Sequence, residues 1–185
     1  MEQKAVQHYP SAGLVHKNPN QLVTNKTPGE ACYWAFYYEI RTMLSTSCKY
    51  ALRATVFLMS ETKDMRRFSI KDVAEAIDAN EHTTAKILQL LVKSGIIKSA
   101  KGPTGGFYME PQGPPVYLID VVRVIDGDHF FFECGLGLKE CSETKPCPIH
   151  HNYKAAREQL FKEFSTVTIQ QLSTNLASGK AYLKR

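Results

Sequence analysis

Between residues 44 and 97 apolar side chains recur at helical spacing in three stretches, two of them opened by a capping residue and the last closed by a glycine. Ser45 or Thr46 can cap a helix in which Tyr50, Ala51, Ala54, Phe57 and Leu58 share one face. Ser69-Ile70-Lys71-Asp72 has the form of a capping box, and Val73, Ala74 and Ile77 follow it at helical spacing. After a short turn at Asp78-Ala79-Asn80, the pattern predicts a helix from Glu81 to Ser94 that buries Ala85, Leu88, Leu91 and Val92 and stops at Gly95. Ile96 to Ala100 and Phe107-Tyr108-Met109 then read as two strands around the glycine-rich turn Lys101 to Gly106. Helix, helix, turn, helix and hairpin in that order make a winged helix-turn-helix, a mainly α fold with a small β-hairpin wing.

Beyond the wing, Leu118, Val121, Val122 and Ile125 follow an i, i+3, i+4, i+7 pattern that Gly127 ends. Tyr153, Ala156, Leu160 and Phe164 form the stripe of a further helix, expected to run about three turns, and Thr168 to Leu172 begin a last short one. The pattern divides the chain into a winged-helix domain at 43–110, a linker, loop and helix segment at 111–176, and a tail at 177–185. Residues 1–42 are polar with Pro10, Pro19 and Pro28, apart from an aromatic-rich patch at 31–40. They are expected as a disordered or loosely docked extension, with Met43 as an alternative natural start.

The stretch from Cys134 to His150 has no periodicity, and it carries the chemistry. Three of the five cysteines fall here, with six residues between Cys134 and Cys141, five between Cys141 and Cys147, and His150 three further on. Gly135, Gly137, Pro146 and Pro148 exclude regular structure and let backbone amides turn toward bound sulfur or metal. Three thiolates and an imidazole suit an iron–sulfur cluster or a tetrahedral zinc. The competing readings are plain buried thiols or disulfides, and nothing else in the chain suggests a disulfide-stapled fold. His129-Phe130-Phe131-Phe132 leads into the loop and is expected to shield it. A metalloenzyme or electron carrier would use the same ligands. Glu133, Glu140 and Glu143 lie near but in no evident pocket, and an electron carrier has no use for a winged helix.

On the 81–94 helix, Glu81, His82, Thr83, Thr84, Lys86, Gln89 and Lys93 are expected to face outward. Thr83 and Thr84, in the first turn, would touch base edges, whereas Lys86, Lys93, Lys98 and Lys101 would contact phosphates. At the wing tip Gly102, Thr104 and Gly105 would let the backbone approach a neighbouring groove.

Composition changes the picture only slightly. Of 185 residues 43% are hydrophobic, enough for a real core, and no run of eighteen apolar residues suggests a membrane span. No secretory signal is apparent, and the odd number of cysteines, five, points mildly to a reducing cytoplasm. The net charge of +5 is uneven: residues 44–110 carry +3, residues 151–185 carry +4, and residues 111–150 carry −3. Basic flanks around an acidic centre suit a nucleic-acid binder with a separate sensing part.

Leu44-Ser45-Thr46, Tyr50-Ala51-Leu52-Arg53-Ala54, the run Ile87 to Ile97 and Gly102-Pro103-Thr104-Gly105-Gly106-Phe107 together resemble the winged-helix family of bacterial iron–sulfur transcription regulators that includes IscR and NsrR. Asp120-Val121-Val122-Arg123, Asp126-Gly127 and the three spaced cysteines keep that family's order, so the resemblance covers roughly residues 43–172. It implies a cytoplasmic homodimer that binds a palindromic operator in double-stranded DNA, joined by a long C-terminal dimerisation helix, and no enzyme. It also implies a cluster, [2Fe-2S] favoured over [4Fe-4S], held by Cys134, Cys141 and Cys147, although the first gap of six is commonly five. His150 matches a fourth ligand of some members, with His151 or His129 second. Other members use a carboxylate from the partner's first helix, where this chain has Lys49 beside Cys48.

Overall fold

In a computed structural model, residues 44–61 and 66–183 can be described; residues 1–43, including the aromatic patch and Met43, lie outside them. The described residues form α1 (Thr46–Ser60), α2 (Ile70–Ile77), α3 (Glu81–Lys93), β1 (Lys98–Ala100), β2 (Gly106–Tyr108), α4 (Leu118–Ile125), a 3-10 turn at His129–Phe131, α5 (His150–Thr166) and α6 (Ile169–Ala177).

Each helix of the head starts where a side chain can take an orphan amide. The Ser45 hydroxyl accepts from the Cys48 N–H, Ser69 and Asp72 complete a reciprocal capping box, and the Asn80 side chain accepts from the Thr83 N–H. Asp78 ends α2 in the left-handed region at φ 54°, and Gly95 turns the chain after α3 at φ 80°. The α1 cap is also a tertiary tie: Asp126, at the end of α4, accepts from the Ser45 N–H at 2.8 Å and from its hydroxyl at 2.5 Å.

The wing is antiparallel, with Lys98 opposite Tyr108 and Ala100 opposite Gly106. Phe68 pairs with Phe107 on its far side and adds a third edge, which sequence patterning missed because the pairing spans only one residue. Gly106 is required there, since a Cβ would sit 2.7 Å from the Phe68 carbonyl oxygen.

Ala51, Ala54, Leu58, Val73, Ile77, Leu88, Leu91 and Ile97 fill the core of the head. Val121 and Ile169 lie in that same core, so packing runs across the boundary expected at residue 110. The chain is brought back by a bridge between Tyr117 and Thr168 and by the Ile169 N–H donating to the Val116 carbonyl at 2.8 Å. A second core joins Cys48, Ile119, Val122 and Phe131, with Leu160, Phe161 and Phe164 of α5 packed against it.

Two expectations about α5 are corrected. It has 17 residues, about 4.7 turns at 3.6 residues per turn, where roughly three turns were expected. Ala156 is exposed, and the inward row uses Phe161, which the expected stripe left out. No residue of α5 is fully buried in this chain.

Candidate metal centre and DNA-reading face

The loop that follows the 3-10 turn folds its sulfurs inward. Gly137, at φ 67°, closes a tight turn in which its N–H donates to the Cys134 carbonyl at 2.8 Å. In the same turn the Leu136 N–H points at the Cys134 sulfur, 3.4 Å away. The sulfurs of Cys134, Cys141 and Cys147 all lie within 4.8 Å of one another. Cys134 and Cys147 approach to 3.6 Å, too far for a disulfide and close to the roughly 3.8 Å that separates two sulfurs on one tetrahedral ion with bonds of about 2.3 Å. His150, the first residue of α5, puts Nδ1 3.1 Å from the Cys141 sulfur, and its own N–H donates to the Cys147 carbonyl at 3.0 Å. Three sulfurs and one imidazole nitrogen therefore face one small cavity, walled by Phe132 and Tyr153. Gly135 is needed for the close approach of that wall, because a Cβ would meet the Tyr153 ring at 2.9 Å.

The electrostatics favour thiolate at one end of the set. Amides of Leu136 and Leu138 draw the Cys134 thiol down to about 7. The Cys147 amide acts the same way on Cys141, but burial and the two neighbouring thiols outweigh it and raise that group. Beside the sulfurs, Lys154 and then His150 hold the Glu143 carboxyl at about 2.

The remaining candidate ligands stand apart. His129 is largely exposed, its Nδ1 3.8 Å from Glu133, and His151 is exposed with its ring edge-on to His150. Cys48 is fully buried in the second core, and burial followed by the nearby Asp126 carboxylate pushes its thiol up to about 12, so it serves packing. Phe131, expected to cover the loop, instead sits in the second core against Phe161 and Phe164; only the exposed Phe132 borders the cavity.

The face of α3 turned to solvent carries Glu81, His82, Lys86, Gln89 and Lys93, with Thr83 half-buried at its flank. Thr84 is the correction. Its side chain has no exposed surface, and its hydroxyl donates to the Asn80 carbonyl at 2.9 Å. The buried row of α3 is Thr84, Ile87, Leu88 and Leu91, whereas Ala85 and Val92, expected inside, are only partly covered. A row led by the larger Ile87 buries more apolar area than one led by Ala85, and Thr84 turns inward with it.

Lys101, Gly102 and Thr104 are exposed at the wing tip. Gly105 is half-buried; its N–H donates to the Gly102 carbonyl at 2.9 Å, and a Cβ there would lie 2.4 Å from the Ala100 oxygen. Lys98 is engaged, its ammonium 2.6 Å from Glu110. Sequence reading missed Arg66 and Arg67, which lead into Phe68 beside the wing. Arg66 stacks over the Phe68 ring, and the Arg67 guanidinium reaches the Thr104 carbonyl at 3.4 Å. Two adjacent arginines ahead of an aromatic were the available signal.

Residues 44–175 match the family model Rrf2, described as iron-dependent transcriptional regulator. The chain belongs to the Rrf2 family. It is 28% identical over 142 residues to the HTH-type transcriptional regulator NsrR of Geobacillus kaustophilus, a match covering 76% of this chain and 96% of that protein. Among solved structures, the fold is similar to CymR, titled the global cysteine regulator of B. subtilis, with a TM-score of 0.57 and 22% identity over 74% of this chain and 96% of that one. It is also similar to T. potens IscR, with a TM-score of 0.55 and 19% identity over 75% and 90% of the two chains. These likenesses give the winged-helix fold of Rrf2 regulators. Among the described residues, no helix is long and apolar enough to cross a membrane.

Proposed function

We propose that this Rrf2 protein is a sequence-specific, homodimeric cytoplasmic transcription regulator switched by an iron–sulfur cluster on Cys134, Cys141, Cys147 and His150. The observation that carries the reading is the convergence of three sulfurs within 4.8 Å of one another, with His150 Nδ1 3.1 Å from one of them. A bound cluster, [2Fe-2S] by preference, would supply a redox-active centre reactive toward oxygen or nitric oxide. This chain's residues supply the rest. Amides of the glycine-rich turn stabilise the Cys134 thiolate, and Phe132 and Tyr153 restrict solvent. His150 ties the set to the first turn of α5.

Because α5 buries no residue within its own chain, it has a face free for the partner subunit, and its other face grips Phe131 and thereby α4. Ordering the loop at the base of α5 would in this way set the spacing of the two DNA-binding heads. In each head, His82, Thr83, Lys86, Gln89 and Lys93 face the major groove. Lys101, Gly102, Thr104, Gly105 and the adjoining Arg66 and Arg67 meet the flanking backbone, with Lys98 contributing less while Glu110 holds it.

A second reading, zinc in place of the cluster, draws on the same observation, since three thiolates and one imidazole also satisfy a tetrahedral zinc. Purification without oxygen, followed by analysis for iron, sulfide and zinc, separates the two. Coloured protein with equal iron and sulfide supports the cluster; colourless protein with one zinc per chain replaces it.

A further inference from the structure

His150 stands between two groups of partners. On one side Nδ1 lies 3.1 Å from the Cys141 sulfur; on the other, Nε2 lies 3.3 Å from Glu143 Oε1. The side chain is only 9% exposed, and Nε2 is buried without a well-aligned hydrogen bond. On the same Glu143 oxygen sits Lys154 Nζ, one turn along α5 from His150, at 2.5 Å, and that ammonium also faces Glu158 at 3.7 Å.

A neutral imidazole carries its proton on one nitrogen and its lone pair on the other. The nitrogen facing the sulfurs is Nδ1, so a ligand role for His150 leaves the proton on Nε2, aimed at a carboxylate. We propose that Glu143, clamped by Lys154, is the positioning residue that holds His150 in the Nε2–H tautomer and presents its Nδ1 lone pair alongside Cys141. This rests on the reading of three cysteines and His150 as the ligands, and adds to it two residues outside the ligand set. Sulfur and nitrogen on one tetrahedral ion stand about 3.6 Å apart, so the 3.1 Å gap must widen by about 0.5 Å. Where the ring supplies that displacement by moving away from Cys141, its Nε2 moves toward Glu143 Oε1, 3.3 Å away. Glu143, His150 and His151 also bring their donor atoms within 4.8 Å of one another, but a second cation there would confront the Lys154 ammonium already seated on the carboxylate.

The test compares wild type with Glu143→Gln, Glu143→Asp and Lys154→Met in the full chain, purified without oxygen. Glu143 is 59% exposed at its side chain, so these variants should keep the wild-type circular dichroism. Loss of outer hydrogen bonds to a ligand imidazole commonly weakens metal retention by about 10- to 100-fold. Glu143→Gln should therefore speed loss of the visible absorbance to an iron chelator by about 10-fold or more, and it should raise the midpoint potential because the imidazole becomes less basic. Lys154→Met should speed loss of the absorbance by less than Glu143→Gln without raising the potential, because removing the ammonium leaves the site more negative, and Glu143→Asp should restore most of the retention. With 15N-histidine, pulsed electron paramagnetic resonance of the reduced protein should keep one coordinated nitrogen in every variant. Wild-type retention together with an unchanged potential in Glu143→Gln overturns the proposal. If the wild type carries zinc, competition with a chromophoric chelator replaces the absorbance readout; unchanged zinc affinity in Glu143→Gln overturns it equally. A wild type that binds neither metal stoichiometrically overturns the ligand reading, and the positioning role with it.

Discussion

Thr84 separates a helix that reads DNA from one that merely sits well in its core. Its hydroxyl donates to the Asn80 carbonyl at 2.9 Å, and its side chain is fully enclosed beneath α3. The Asn80 oxygen also accepts from the Thr84 N–H at 3.0 Å, so deleting the hydroxyl leaves no orphaned acceptor. Thr84→Val then exchanges a hydrogen bond worth about 1 kcal/mol net for one buried methyl worth about 0.8 kcal/mol, a loss of well under about 1 kcal/mol. Thr84→Ala removes the hydroxyl and a methyl, leaves a small void, and should cost about 2 kcal/mol. Urea denaturation followed by circular dichroism measures both. Neither substitution touches the outer face of α3, so the ratio of operator to random-duplex affinity, read by fluorescence anisotropy well below the unfolding midpoint, should not change. Gln89→Ala should do the reverse, leaving stability within about 0.5 kcal/mol and lowering that ratio by about 1–3 kcal/mol. A Thr84→Ala protein of wild-type stability that discriminates operator from random DNA ten times less well would refute this register of α3.

The same geometry sets three further outcomes. Alanine at Cys134, Cys141 or Cys147 should abolish the visible absorbance and the bound iron while circular dichroism stays unchanged, because none of the three belongs to the core beneath α1 to α3; wild-type absorbance in two of the three would end the cluster reading. If each subunit contacts about three to five phosphates, log K against log salt should have a slope of about −5 to −9, and Lys101→Ala should reduce it by about two for the dimer. Lys98→Ala should change the slope less, because Glu110 already holds that ammonium at 2.6 Å. At acid pH, the Ser69 hydroxyl and then its amide hold the Asp72 carboxyl below its reference value of 3.8. A group depressed in the folded state stabilises above its unfolded pKa and loses that contribution as pH falls through the folded one. Asp72→Asn should therefore lower stability at neutral pH and flatten the acid limb of the urea midpoint, and an unchanged limb would count against the capping box.

Local chemistry in the sequence was enough to determine most of the elements. Caps at Ser45 and Ser69, the breaker at Gly95 and the glycines of the wing act within a few residues of themselves, so their outcome is legible without knowing the fold. The thiol loop was legible for the same reason, since cysteine and histidine spacing constrains how a short loop can close. Tertiary structure decided what depends on distant partners. Whether Thr84 or Ala85 turns inward is nearly balanced along α3 itself, and it is settled by the core that α1, α2, Val121 and Ile169 build beneath it. Phe131 left the loop because Phe161 and Phe164, about thirty residues later, offer it an aromatic nest. Arg66 and Arg67 became part of the wing face only through the single-residue pairing of Phe68 with Phe107, and the placing of Glu143 between His150 and Lys154 needed the loop to fold back on α5. Periodicity reports which residues can share a face; the free energy of burial, summed over elements far apart in the chain, chooses which face is inside.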